Sequence, residues 1–163
     1  MRIAIVDDLP GERALLKQRL ERALSRRRVL AEFFEFETGE SFLAAAKERR
    51  FTAAFLDIYM PMLNGIEAAK ALRGFDSACL LIFTTTSTDH ALEGFQVRAM
   101  HYLVKPFTEE DVDHLTEEIL ARIPQPDKYM DIKVSGGDVR LSFHSIVYAE
   151  HFSHMIHIHT PGG

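Results

Sequence analysis

The chain predicts a doubly wound α/β fold on a five-stranded parallel sheet, followed by a short, incomplete all-β segment. Three observations lead there. From residue 1 to about 123, short apolar runs alternate with longer amphipathic stretches, the pattern of parallel strands joined by crossover helices. Two prolines then punctuate Pro124-Gln125-Pro126-Asp127-Lys128. Each fixes φ and removes a backbone donor, so a linker is expected over 124–128. Beyond it the texture changes to strict apolar–polar alternation, as in Ile132-Lys133-Val134 and Val139-Arg140-Leu141, the period of half-buried strands.

Strands are expected near 2–6, 30–36, 52–56, 79–84 and 101–104, and helices near 11–26, 39–49, 65–73, 89–97 and 108–122. In the first helix Leu15, Leu16, Leu20, Ala23 and Leu24 recur at helical spacing, which predicts one face packed on the sheet. The last helix opens with Thr108-Glu109-Glu110-Asp111, a hydroxyl cap followed by acids that suit the positive helix start; its apolar face is Val112, Leu115, Ile119 and Leu120. After the linker, Ser135-Gly136-Gly137-Asp138 reads as the turn of a β-hairpin. Further strands are expected at Ile146-Val147-Tyr148 and Met155-Ile156-His157-Ile158-His159. About 35 residues of strand fall below the ~40 at which a unit usually needs a staple or partner, so this segment reads as part of a domain.

Composition narrows the class. With 47% hydrophobic and 26% charged residues over 163 positions, the chain has the make-up of a folded globular protein. A net charge of −5 argues against nucleic-acid binding driven by overall charge, while leaving room for a local patch. The single cysteine, Cys79, lies in the apolar run Cys79-Leu80-Leu81-Ile82-Phe83 and reads as a buried, inert thiol. No apolar run approaches the ~20 residues of a membrane span, and the opening run is too short for a signal peptide, so a cytoplasmic protein without a membrane partner is expected.

Chemistry concentrates at the strand ends. Asp7-Asp8 follows Arg2-Ile3-Ala4-Ile5-Val6, Asp57 ends the run before Ile58-Tyr59-Met60-Pro61, Thr84-Thr85-Thr86 ends a third run, and Lys105-Pro106 follows Tyr102-Leu103-Val104. Ligands of open parallel sheets bind beyond the carboxyl ends of the strands, so these groups are expected to converge. Clustered carboxylates suit Mg²⁺, which takes one or two of them plus phosphate oxygens and water. Asp8 and Asp57 are candidates for direct ligands and Asp7 for a water-mediated one, with a main-chain carbonyl just after Asp57, that of Tyr59, in a further position. Asp57 is the lone central candidate for a carboxylate nucleophile attacking phosphorus in line. Lys105 would hold the phosphoryl oxygens as a point charge and Thr85 would donate a hydroxyl hydrogen bond. Asp7 and Asp8 are also apt helix caps, and the threonines ordinary strand-end residues.

Asp7-Asp8, Asp57-Ile58-Tyr59-Met60-Pro61 with Asn64-Gly65, Thr85, and Tyr102-Leu103-Val104-Lys105-Pro106-Phe107, five elements in order over residues 1–123, resemble the flavodoxin-like receiver domain of bacterial two-component response regulators. The resemblance implies that Asp57 accepts a phosphoryl group from a sensor histidine kinase with Mg²⁺, that Thr85 is the switch hydroxyl and Tyr102 its coupled aromatic, and that the bond before Pro106 is cis. It further implies a phosphorylation-linked homodimer through the face formed by helix 89–97, strand 101–104 and helix 108–122. Thr86 departs from the small residue that the family prefers there. Gly65 is expected to give the loop after Asp57 its tight path.

Lys133-Val134-Ser135-Gly136-Gly137 through Ser145-Ile146-Val147-Tyr148-Ala149-Glu150, then His154-Met155-Ile156-His157-Ile158-His159, is similar to the start of a LytTR DNA-binding domain, and the receiver part resembles the LytR/AlgR class. Residues 129–163 would be its N-terminal part, with His154 where a base-contacting residue is expected. The implied function is a non-enzymatic response regulator controlling transcription. Two alternatives stay open: a stand-alone receiver or competitor without DNA-binding output, and a Mg²⁺-dependent aspartyl-phosphate phosphohydrolase, which would need a D-x-D loop where this chain has adjacent aspartates. The tail histidines His144, His151, His154, His157 and His159 fit no metal-ligand pattern and read as solvated or groove-facing, and Arg26-Arg27-Arg28 as a solvated helix end.

Overall fold

Strands β1 (Arg2–Val6), β2 (Glu32–Phe36), β3 (Ala53–Asp57), β4 (Leu80–Thr85) and β5 (His101–Val104) form one sheet in the order β2-β1-β3-β4-β5. All four pairings are parallel. The structure, a computed structural model, describes residues 1–87, 95–123, 129–134, 137–152 and 155–160, with only the backbone of His144. Helices α1 (Pro10–Arg26), α2 (Gly39–Glu48) and α3 (Gly65–Arg73) are the described crossovers, and α4 (Glu109–Arg122) follows the last strand. Most of the helix expected over 89–97, and the linker 124–128, lie outside the described residues.

Side-chain alternation divides the core in two, because successive strand residues point to opposite faces. Ile3, Ile5, Ala53, Phe55 and Ile82 meet Leu16, Leu20 and Leu24 of α1 and Val112, Leu115 and Ile119 of α4. Ala4, Val6, Ala54, Leu56, Leu81 and Phe83 meet Phe42 of α2 and Ile66, Ala69 and Leu72 of α3. Strands β1 and β3 are covered on both faces, which explains their unbroken apolar runs.

Local signals fix the helix ends. α1 starts with Pro10 in its first turn and Leu9 as its cap, a position where the missing N–H of proline loses nothing. Asn64 and Glu67 form a reciprocal capping box on α3, and Thr108 and Asp111 form one on α4. Three expectations shift. Leu15 is exposed, because it sits beside the buried stripe of Leu16, Leu20 and Leu24. β2 begins at Glu32: Leu30 is 91% exposed and accepts a hydrogen bond from the N-terminal ammonium. The Arg26-Arg27-Arg28 run is not simply solvated, since Arg26 and Arg27 both bind Asp113 of α4.

The chain divides into two compact units, Met1–Ile123 and Pro124–Gly163. In the second, β6 (Tyr129–Val134) pairs antiparallel with β7 (Gly137–Ser142), and β8 (Tyr148–Phe152) with β9 (Met155–His159). The expected strand at Ile146-Val147-Tyr148 instead starts at Tyr148. Phe143–Ser145 form a 3-10 turn closed by the bond from Ile146 N–H to the Phe143 carbonyl. Among the described residues no helix is long and apolar enough to cross a membrane.

Candidate functional site

The ends of β1 and β3 and the segment after β5 bring the predicted acids and lysine together. Asp7 follows β1, Asp57 ends β3, and Lys105 follows β5. The Lys105 Nζ donates to Asp7 Oδ2 at 2.7 Å and to Asp57 Oδ1 at 3.2 Å. Asp7 and Asp57 are both buried, at 4% and 5% exposure, while Asp8 is half-buried. Each of these three acids offers an oxygen within 4.8 Å of the others, the one such cluster among the described residues. Three hard oxygen donors at this spacing fit a divalent cation of the Mg²⁺ type.

A cavity of about 500 Å³ opens over these groups, lined by Asp8, Asp57, Tyr59, Thr86, Lys105 and Phe107 among others. Burial pushes the Asp57 carboxyl above its ordinary range. The Lys105 ammonium opposes this, but the Asp7 and Asp8 charges reinforce it. For Lys105 burial is the largest single influence and lowers its pKa, yet the hydrogen bond to Asp7 and the charges of Asp57 and Asp7 together outweigh it and hold the ammonium above its usual value. The site is therefore short of positive charge: one ammonium faces three acids.

Backbone features hold these groups in place. The Asp7 side chain accepts from the Leu9 N–H at 2.9 Å, so it closes the turn into α1 and is not the helix cap. Ile58 N–H donates to the Thr84 carbonyl and Gly65 N–H to the Ile58 carbonyl, folding the segment after Asp57 back on itself. A Cβ on Gly65 would lie 2.2 Å from the Asp57 carbonyl oxygen. What the chain needs there is the absence of a side chain; the backbone is not in the left-handed region that only glycine favours. The Lys105–Pro106 peptide is cis.

Thr85 is fully buried, and its hydroxyl donates to the Ser87 carbonyl at 2.8 Å while accepting from the Ser87 N–H at 3.1 Å. The residue of this loop that lines the cavity is Thr86. Tyr102 is half-buried, with its ring 5.3 Å from that of Phe83. Cys79 is buried, its thiol pushed up to about 12 by burial, consistent with an inert core residue. His154 lies outside the described residues. Sequence reasoning missed Arg13, which donates to the Asp7 carbonyl at 2.5 Å, and Arg19, which donates to the Phe107 carbonyl. Their place on the flank of the buried α1 stripe, next to Leu16 and Leu20, was the available signal.

An open parallel sheet with acids and one lysine at the carboxyl ends of its strands defines a doubly wound domain whose acidic cluster has the spacing of a cation site. Residues 3–117 match the response regulator receiver domain family, and the chain belongs to it. Among curated relatives it is 41% identical over 76 residues to the sensory transduction protein LytT of Oceanobacillus iheyensis, covering 45% of this chain and 31% of that protein. It is 36% identical over 128 residues to the positive alginate biosynthesis regulatory protein of Pseudomonas aeruginosa, covering 78% and 49%. Protein MrkE of Klebsiella pneumoniae matches at 25% identity over 98% of this chain and 63% of its own length. The chain thus spans less than two thirds of each of these relatives. The response regulator TrrA of Thermotoga maritima, solved in complex with Mg²⁺–BeF, superimposes with a TM-score of 0.62 at 29% identity, covering 75% of this chain and 98% of that one.

Proposed function

We propose that this protein is a phosphorylation-operated response regulator in which Asp57 accepts a phosphoryl group from the phosphohistidine of a sensor kinase. The observation that carries this reading is the buried Asp57 carboxylate facing Lys105 at 3.2 Å, with Asp7 and Asp8 beside it. Being a carboxylate, Asp57 needs no base and attacks phosphorus directly. Lys105 would move its ammonium from the acids to the incoming phosphoryl oxygens. Asp8, Asp57 and the Tyr59 carbonyl would hold Mg²⁺, with Asp7 acting through water. When bound, the ion supplies charge neutralisation for the transferring group. The Mg²⁺–BeF complex of the similar TrrA domain supports this assignment.

Phosphorylation adds about −1.5 to −2 charges at Asp57. To answer it, Thr85 would exchange its two bonds with Ser87 for one to the phosphoryl group, drawing in the loop after β4 and changing the space beside Tyr102. The face formed by residues 89–122 would then pair two copies, a population shift set by how differently the two states hold the phosphoryl group. The exposed Phe95 and Val104 on this stretch are apolar groups such a contact would cover. Residues 1–123 are assigned as receiver, 124–128 as linker and 129–163 as the N-terminal part of a LytTR DNA-binding domain through which transcription is controlled, in the cytoplasm. The division into two compact units, the LytT relative and the MrkE match running through the tail support this.

The test is incubation with Mg²⁺ and acetyl phosphate, read by intact mass beside Asp57→Asn and an EDTA control. The expected result is a metal-dependent, alkali-labile adduct absent from the variant; folded protein that takes no adduct sinks the phosphoacceptor assignment. A second reading, a receiver without DNA-binding output, draws on the tail's charge: from Asp127 onward three Lys/Arg face four Asp/Glu, a poor balance for gripping phosphates. A gel shift at low salt with these 163 residues separates the two.

A further inference from the structure

Arg19 of α1 has no part in the phosphoryl-transfer scheme above, yet it ends on the segment that carries Lys105. Its Nη1 donates to the Phe107 carbonyl, and its guanidinium carbon lies 5.2 Å from the centre of the Phe107 ring. Arginine can make both contacts at once, because its planar fork stacks on a ring while its edge donates. The segment is also anchored where it starts, by the Lys105 N–H on the Thr85 carbonyl at 2.7 Å, and where it ends, by the Thr108–Asp111 capping box. Pro106, between these points, has no N–H to donate. Phe107 is itself buried in the core beside Val112 and Leu115, and to this apolar anchor Arg19 adds the polar tie from α1 to the middle of the segment.

The Lys105 side chain is long, with three rotatable donors on a flexible stem, so the placement of its ammonium depends on where its backbone is held. We propose that Arg19 is a positioning residue for phosphoryl capture: by clamping Phe107 to α1 it keeps the Lys105 ammonium over Asp57. The inference rests on the reading of Asp57 as phosphoacceptor. Its consequence is selective. Lys105 meets the phosphoryl oxygens and not the cation, so loosening it weakens capture of the phosphodonor while leaving the three acids free to bind Mg²⁺ as well as before, or better.

The experiment compares the full chain with Arg19→Met, Lys105→Met and the double variant. Adduct formation from acetyl phosphate is followed by intact mass at subsaturating donor, and Mg²⁺ binding by amide NMR shifts. Arg19→Met is expected to slow adduct formation on the order of tenfold, within the hundredfold that a 1 Å misplacement can cost, with the Mg²⁺ midpoint unchanged or lower. In the Lys105→Met background the same substitution should add no further loss, since two changes acting through one group do not add. Wild-type speed in Arg19→Met, a matching loss of Mg²⁺ affinity, or a full extra loss in the double variant each overturns the inference. If Arg19→Met is unfolded at the assay temperature, Arg19→Lys, which keeps the charge but not the fork, should show a smaller loss of the same kind. Wild type that takes no phosphate defeats the phosphoacceptor reading and this inference with it; labelled wild type beside an equally fast Arg19→Met defeats the inference alone.

Discussion

Asp57 is held in a form that costs the fold something. Its carboxyl titrates above its ordinary value near 3.8 because burial, then Asp7 and Asp8, outweigh the help from Lys105. A carboxyl whose folded pKa is raised binds its proton more tightly in the native state. Its contribution to stability is greatest below the unfolded value and declines as pH rises from there through the folded value. Replacing it by asparagine removes that decline. In urea melts from pH 3.5 to 7, Asp57→Asn should gain on wild type as pH rises, ending about 1 kcal/mol more stable, the scale of ordinary single-site effects; parallel curves would refute the account. Gly65 is a second point of tension, since a Cβ there would meet the Asp57 carbonyl at 2.2 Å. Gly65→Ala should therefore destabilise by about 1–3 kcal/mol, as overpacking does, and slow adduct formation, because the displaced atoms belong to the proposed phosphoacceptor. Equal melting and labelling of this variant would show that the segment yields freely. These acids and the lysine were legible in the sequence because each directly follows or ends an apolar run. The Ser87 bonds that occupy the Thr85 hydroxyl were not, because any of three consecutive threonines could have turned inward and only packing decides which.

Helices α1 and α4 are joined by charge as well as by their apolar faces. Arg26 and Arg27 bond Asp113 at 2.6 and 2.7 Å, and Arg22 and Arg26 reach Glu109 at 3.3 and 3.2 Å. The two guanidinium groups hold the Asp113 carboxyl far below the usual carboxylate range. With a lowered folded pKa, the stabilising contribution is present above the ordinary value near 3.8 and is lost as pH falls toward the folded one. Asp113→Asn should thus lower Tm at pH 7 by roughly 2 °C, with the gap closing below pH 3 and shrinking in 1 M NaCl, where screening acts over about 3 Å. A gap insensitive to both would point to packing instead. Helical periodicity revealed the apolar stripe of α1 but misassigned Leu15, and it could not show that the arginines at its end face Asp113, because partners 86 positions apart leave no local pattern. The cap of α4 was easier, since Thr108 and the acids behind it are written within four residues.

Among the described residues both apolar clusters of the α/β unit are drawn from Met1–Ile123, so that unit carries a core of its own. The second unit is different in kind. Tyr129, Phe143, Val147, Tyr148, Phe152, Met155 and Ile156 are each more than half exposed, and its strands form two separate two-stranded hairpins. Isolated hairpins of that size are marginal in water. The alternation of residues made the strands readable from sequence, but alternation only says that a strand has two faces; it says nothing of what covers the apolar one, and so the start of β8 was misplaced by two residues. The asymmetry predicts how the chain responds to being cut. A fragment ending at Ile123 should melt within about 2 °C of the full chain and accept phosphate at the same rate, while a peptide of residues 124–163 should give the narrow amide dispersion of an unfolded chain. A fragment that loses several degrees would mean that the tail contributes to the α/β core, and a folded peptide would mean that its exposed apolar residues find partners within these 40 positions. If the fragment behaves as expected, phosphorylation chemistry belongs wholly to the first unit, and any effect on DNA must be read through the 89–122 face and the linker.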